Sequence, residues 1–124
     1  MATLREIVID SVVPSRLAKF WEAALDEYSI RDYDEAEIAR LADLGLTPET
    51  DPAVALDGPG PTIFFQLSQF PKTQRNRMHF DICGGNRIEQ VQRLEALGAT
   101  IRDVHETYTV MLDPEGNEFC VTDP

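Results

Sequence analysis

The sequence predicts an α+β fold made of two βαβββ modules that pack so as to leave a cleft. An internal duplication is the first sign: residues 6–21 and 79–94 share one pattern, with Ile7, Ile9, Ala18 and Trp21 aligned on Phe80, Ile82, Val91 and Leu94 at a constant offset of 73 residues. In each copy a period-two strand runs through a short break into a segment of helical period. Each helix is then followed by strand candidates separated by turn residues. A module of this kind cannot bury its apolar face alone, so two of them pair.

Module 1 covers residues about 1–70. Its first strand spans residues 5–11, and Ser15 is the expected N-cap of a helix whose Leu17, Phe20, Trp21, Ala24 and Leu25 share one face. A short strand at residues 28–31 follows. Asp34 and Glu37 then form a capping-box-like start to an inserted helix, about 34–45, with Ile38, Leu41 and Leu44 at helical spacing and Gly45 as its stop. Residues 53–56 read as a strand, and Asp57-Gly58-Pro59-Gly60-Pro61 as the turn before a strand at 62–67.

Module 2, about 78–124, repeats the order without the insertion. Its first strand is residues 79–83. Asn86 with Glu89 three residues on caps a helix carrying Ile88, Val91, Leu94 and Leu97, ended by Gly98. Strands are expected at 100–104, 107–112 and 118–121, the last two joined by Asp113-Pro114-Glu115-Gly116-Asn117. The polar and basic run 69–77 links the modules.

Composition limits the function. A chain of 124 residues, 43% hydrophobic, suits one domain with a real core. A net charge of −11 and a pI near 4.4 repel polyanions, which argues against nucleic acid and against anionic membranes as partners and leaves cationic or neutral ligands. No signal-like or membrane-length apolar run is present, so a cytoplasmic location is expected. In that setting Cys83 and Cys120 are expected as free thiols. No Gly-rich phosphate loop, Ser-His-Asp set or nucleotide fingerprint occurs. Lys72, Arg75 and Arg77 form a basic cluster within six positions, suited to a substrate carboxylate or phosphate. Alternatively they neutralise nearby carboxylates such as Asp81 and Glu6, or position the linker.

The module order, the Phe20-Trp21 pair, the linker Pro71-Lys72-Thr73-Gln74-Arg75-Asn76-Arg77-Met78-His79-Phe80-Asp81 and the ending Asp113-Pro114-Glu115-Gly116-Asn117-Glu118-Phe119-Cys120-Val121 together resemble the vicinal oxygen chelate superfamily, in its glyoxalase-like branch. The resemblance covers nearly the whole chain apart from residues 34–52. It implies a cleft in which one divalent metal chelates two neighbouring substrate oxygens, and the four ligand positions match Glu6, Gln66, His79 and Cys120. His79 is an orthodox ligand there and Gln66 an occasional one, whereas Glu6 stands where histidine is common and Cys120 where a carboxylate is expected. A thiolate in the set makes zinc the most compatible ion.

Two functions follow from the resemblance. One is an enzyme of metal-assisted lyase, isomerase or dioxygenase type, with Glu6 as base or ligand, His79 as ligand or acid/base, and Gln66, Phe64, Arg75 and Arg77 contacting the substrate. Strong glyoxalase I activity is not expected, because Cys120 replaces an oxygen ligand and candidate base. The alternative is a metal-free protein that sequesters a cationic or aromatic small molecule, as bleomycin resistance proteins do. The resemblance also implies a homodimer. Bland readings stand beside these: Cys120 as a small buried apolar residue, His79 as a hydrogen-bonded histidine, Glu6 as a solvated carboxylate. Strand parity further predicts that Glu6, Gln66, His79 and Cys120 share the cleft side, with Ile7, Ile9, Phe80 and Ile82 toward the helices.

Overall fold

The structure, a computed structural model, describes all 124 residues and contains eight strands and three helices in two compact units, Met1–Pro71 and Lys72–Pro124. The first unit runs β1 (Glu6–Ser11), α1 (Pro14–Ala24), β2 (Ser29–Ile30), α2 (Glu35–Asp43), β3 (Ala53–Asp57), β4 (Thr62–Leu67). The second runs β5 (Asp81–Ile82), α3 (Arg87–Ala96), β6 (Thr100–Val104), β7 (Tyr108–Leu112), β8 (Glu118–Thr122). The expected α+β pair of βαβββ modules is therefore present. No helix is long and apolar enough to cross a membrane.

The sheets repeat one topology, β1-β4-β3-β2 and β5-β8-β7-β6, each with a parallel pair at one edge, β1–β4 or β5–β8, and antiparallel pairs in the rest. Alternation along the strands decides which side is covered. In β4, Ile63 and Phe65 are buried while Gln66 is exposed; in β8, Phe119 and Val121 are buried and Cys120 is half-buried. Odd-numbered side chains of β1 and β4 thus lie on the α1 side with Leu17, Ala18, Phe20 and Trp21, and even-numbered ones form an open face. Phe20 and Trp21 meet edge to face at 5.1 Å. In the second unit Val91 and Leu94 of α3 are buried along with Met111, Phe119 and Val121.

Several local expectations need correction. The N-cap of α1 is Val13, with Pro14 in the first turn, and Ser15 has no capping bond. Its Oγ instead donates to the Glu49 carbonyl at 2.8 Å, tying the inserted segment to α1. Asp34 does cap α2, its Oδ1 accepting the Glu37 N–H at 2.8 Å, but only Leu41 of the apolar trio is buried. Ile38 and Leu44 face solvent, because a helix of nine residues presents one narrow line to its unit. Asn86 caps α3 as expected, yet Ile88 and Leu97 are likewise exposed. The β5 strand is shorter than residues 79–83. The Cys120 N–H donates to the Phe80 carbonyl at 2.9 Å, and Gly85, at φ +55°, turns the chain away soon after Ile82.

The turn before β4 shows why glycine stands there. A Cβ on Gly58 would lie 2.6 Å from the Tyr28 ring, and one on Gly60 would lie 2.7 Å from its hydroxyl. Tyr28 lies across the turn, and its Oη donates to the Pro61 carbonyl at 3.1 Å.

Candidate functional site

The open face of the second sheet gathers three groups of metal-ligand chemistry. His79 and Asp81 are two residues apart in extended chain, so their side chains leave on one side. Asp81 is level with Cys120 across the parallel β5–β8 ladder. His79 Nδ1 lies 3.0 Å from Asp81 Oδ1, and one ligand atom from each of His79, Asp81 and Cys120 falls within 4.8 Å of the others. His79 and Asp81 are exposed and Cys120 is half-buried, so the group can be reached from solvent.

Burial pushes the Cys120 thiol above its ordinary pKa, and the Asp81 charge and the hydrogen bond from Sγ to the Asp81 carboxylate add to the effect. The thiol form is thereby favoured, and holding a metal ion would require Cys120 to give up that proton. Its bland reading as a buried apolar residue is only half met, since Sγ belongs to a polar group. The donor set itself, one imidazole nitrogen, one carboxylate oxygen and one sulfur, suits a borderline-soft divalent ion such as zinc better than magnesium or calcium.

Glu118 flanks the trio two residues before Cys120 on the same strand face. Lys72 Nζ donates to its Oε1 at 2.9 Å and the Asn76 N–H to its Oε2 at 2.9 Å. Burial alone would raise its pKa, but these donors outweigh it and hold the carboxyl at about 2. Arg102 sits beside it, Nη1 3.6 Å from Oε1. Within the basic cluster Lys72 neutralises a nearby carboxylate, but it is Glu118 rather than Asp81 or Glu6, while Arg75 and Arg77 are exposed and form no ion pair.

In the first unit Glu6, Val8 and Asp10 of β1 are level with Thr62, Phe64 and Gln66 of β4, all on the open face. Parity put Glu6 and Gln66 on one side, and they are. Four residues of ladder still separate them, about 13 Å along the strands, so side chains standing perpendicular to the sheet do not meet at one ion. The position level with β1 that corresponds to Cys120 is occupied by Phe64, which has no ligand atom. Arg31 is paired through two 2.9 Å hydrogen bonds to Asp57, and its guanidinium carbon lies 5.5 Å from the Phe64 ring centre. Of the four positions expected to share a metal, the second unit brings His79 and Cys120 together and adds Asp81. Asp81 was not anticipated as a ligand. The His79-Phe80-Asp81 spacing held the signal, since residues i and i+2 of a strand share a face, but only the ladder register places Cys120 beside them.

A sequence model of the glyoxalase-like domain matches residues 6–122. The chain belongs to the glyoxalase-like domain family. Among solved structures the fold is similar to a glyoxalase/bleomycin resistance protein/dioxygenase family enzyme of Burkholderia phytofirmans, with 18% identity, a TM-score of 0.71 and 98% of each chain covered. It is similar to a fosfomycin resistance protein of Mesorhizobium loti, with 10% identity, a TM-score of 0.68, and 98% of this chain and 91% of the other covered. A third likeness is to the trypanothione-dependent glyoxalase I of Leishmania major, with 17% identity, a TM-score of 0.64 and coverages of 99% and 87%. At such identities the likeness is one of fold. No curated protein matches the sequence.

Proposed function

We propose that this glyoxalase-like protein is an enzyme that acts on a small molecule at the open face of its second sheet, with His79, Asp81 and Cys120 as the metal-holding group. The observation that carries this reading is the convergence of three different ligand atoms within 4.8 Å, from Cys120 of β8, Asp81 of β5 and His79 just before β5. The donor set fits zinc. When bound, such an ion supplies Lewis acidity toward neighbouring ligand oxygens. The chain's own contributions are positional: the Asp81 carboxylate orients the His79 ring through Nδ1, and in the metal-free protein it takes the hydrogen bond of the Cys120 thiol. In this reading Glu6 is a candidate base, and Phe64 and Gln66, level with Val8 and Asp10 on the same open face of the first sheet, are candidates for contact with the ligand. Arg75 and Arg77, unpaired on the linker, meet anionic groups. The active form is a homodimer.

Metal analysis of protein purified without chelator tests the reading. Stoichiometric zinc in the wild type, lost in His79→Ala with melting temperature retained, is the expected result. A large thermal loss in His79→Ala with metal content unchanged would refute the assignment. A second reading, a metal-free binding protein for cationic or aromatic molecules, is favoured by the half-exposed Val8 beside Phe64, Glu6 and Asp10. It predicts no metal and retention of ligand in His79→Ala.

A further inference from the structure

We infer that Arg102 forms a carboxylate-binding subsite next to the His79, Asp81 and Cys120 group, so that the small molecule taken there is a carboxylic acid. This rests on the reading of that group as the reactive centre. Three observations carry it. Between Thr100, level with Leu112, and Asp103, level with Val110, β6 advances three residues while β7 advances two. Arg102 lies in that bulge, a device that re-aims a side chain out of the strand alternation. The guanidinium consequently reaches across β7 onto the open face, where Nη1 lies 3.6 Å from Glu118 Oε1 and Nε 3.6 Å from Asp103 Oδ2.

The second observation is that these donors are unspent. Both contacts are too long for hydrogen bonds, and the side chain is 44% exposed. Lys72, Arg87 and Arg31 are committed elsewhere, whereas Arg75 and Arg77 are unpaired but stand on the linker. Lys72 donates to Glu118; Arg87 donates to the His105 and Glu106 carbonyls, at 2.9 and 2.7 Å, and pairs with Asp123; Arg31 is held by Asp57. Arg102 is the guanidinium on the open face of the second sheet with its planar fork available, and that fork matches a carboxylate in two parallel hydrogen bonds.

The third observation is spacing. Glu118 and Cys120 are two residues apart on β8, about 7 Å along the strand, so the Arg102 head group and the trio lie within the span of one small molecule. Lys72 and the Asn76 N–H make the hydrogen bonds of Glu118, and Arg102 pairs with that carboxylate at 3.6 Å without a hydrogen bond of its own. A ligand with a carboxylate at one end and oxygen donors several atoms away would engage both places.

Glutarate is a suitable probe, with its neutral diamide as control, titrated calorimetrically into zinc-supplemented full-length protein and its variants. The expected result is binding of glutarate but not of the diamide, weakened roughly tenfold or more in Arg102→Gln with melting temperature and zinc content unchanged. Arg102→Lys should restore only part of the affinity, because it keeps the charge and loses the fork. Glutarate binding that is equal in wild type and Arg102→Gln, or absent from the wild type, overturns the subsite. The metal reading is judged separately by zinc content: glutarate binding that depends on Arg102 in a protein that takes up no zinc would support the subsite and refute the metal group.

Discussion

Asp81 stands level with Cys120 across the parallel β5–β8 ladder, and its carboxylate accepts the Cys120 thiol while facing His79 Nδ1 at 3.0 Å. One carboxylate thus organises both side chains that the sequence singles out in the second module. Asp81→Ala should lower zinc affinity roughly tenfold or more, since it removes a ligand and the group that orients another. Gln66→Ala should leave it within about twofold. A fluorescent zinc competition assay on both variants checks this, and a large effect of Gln66→Ala with none of Asp81→Ala would contradict it.

Glyoxalase I activity should be absent or weak. Cys120 presents sulfur, so it offers neither an oxygen ligand nor a carboxylate base for moving a carbon-bound proton. Robust isomerisation of the glutathione hemithioacetal of methylglyoxal by zinc- or nickel-loaded protein would disprove this.

Glu118 should make stability depend on acid. Its folded pKa of about 2 is below the ordinary 4.5, so the protein releases this proton more readily than the unfolded chain does. The stabilisation is fully present above pH 4.5 and is lost as pH falls from there toward 2, on the order of 1–3 kcal/mol. Urea denaturation at pH 6 and pH 3 should show a smaller difference for Glu118→Gln than for wild type; equal differences would show that the carboxylate is not stabilised by its Lys72 and Asn76 partners.

Gly58→Ala should destabilise by roughly 1–3 kcal/mol, because the added methyl would sit 2.6 Å from the Tyr28 ring. Adding Tyr28→Ala should relieve part of that cost, giving a coupling energy of about 0.5 kcal/mol or more in a double-mutant cycle. Strict additivity would mean that the ring moves aside freely.

In the inserted helix, Leu41→Ala should cost about 2–5 kcal/mol and Ile38→Ala within about 0.5. Leu41 is fully buried and Ile38 is 46% exposed, although both lie on the apolar stripe of α2. Thermal unfolding of the two variants distinguishes them.

What the sequence alone determined is whatever depends on neighbours along the chain. Strand alternation in β1, β4 and β8, the caps Asp34 and Asn86, the glycine stops at Gly45 and Gly98, and the duplication at an offset of 73 are local, so the two βαβββ modules and the open side of each sheet were legible. The register of the parallel pairs was decided only in three dimensions. Local pattern specifies which face a strand residue takes and not which residue of a distant strand lies opposite, so Gln66 looked like a partner for Glu6 although it is level with Asp10. The same register joins Asp81 to Cys120, and the bulge in β6 sends Arg102 to Glu118. Those pairings depend on hydrogen bonds between segments tens of residues apart, and the chemistry of the candidate site depends on them.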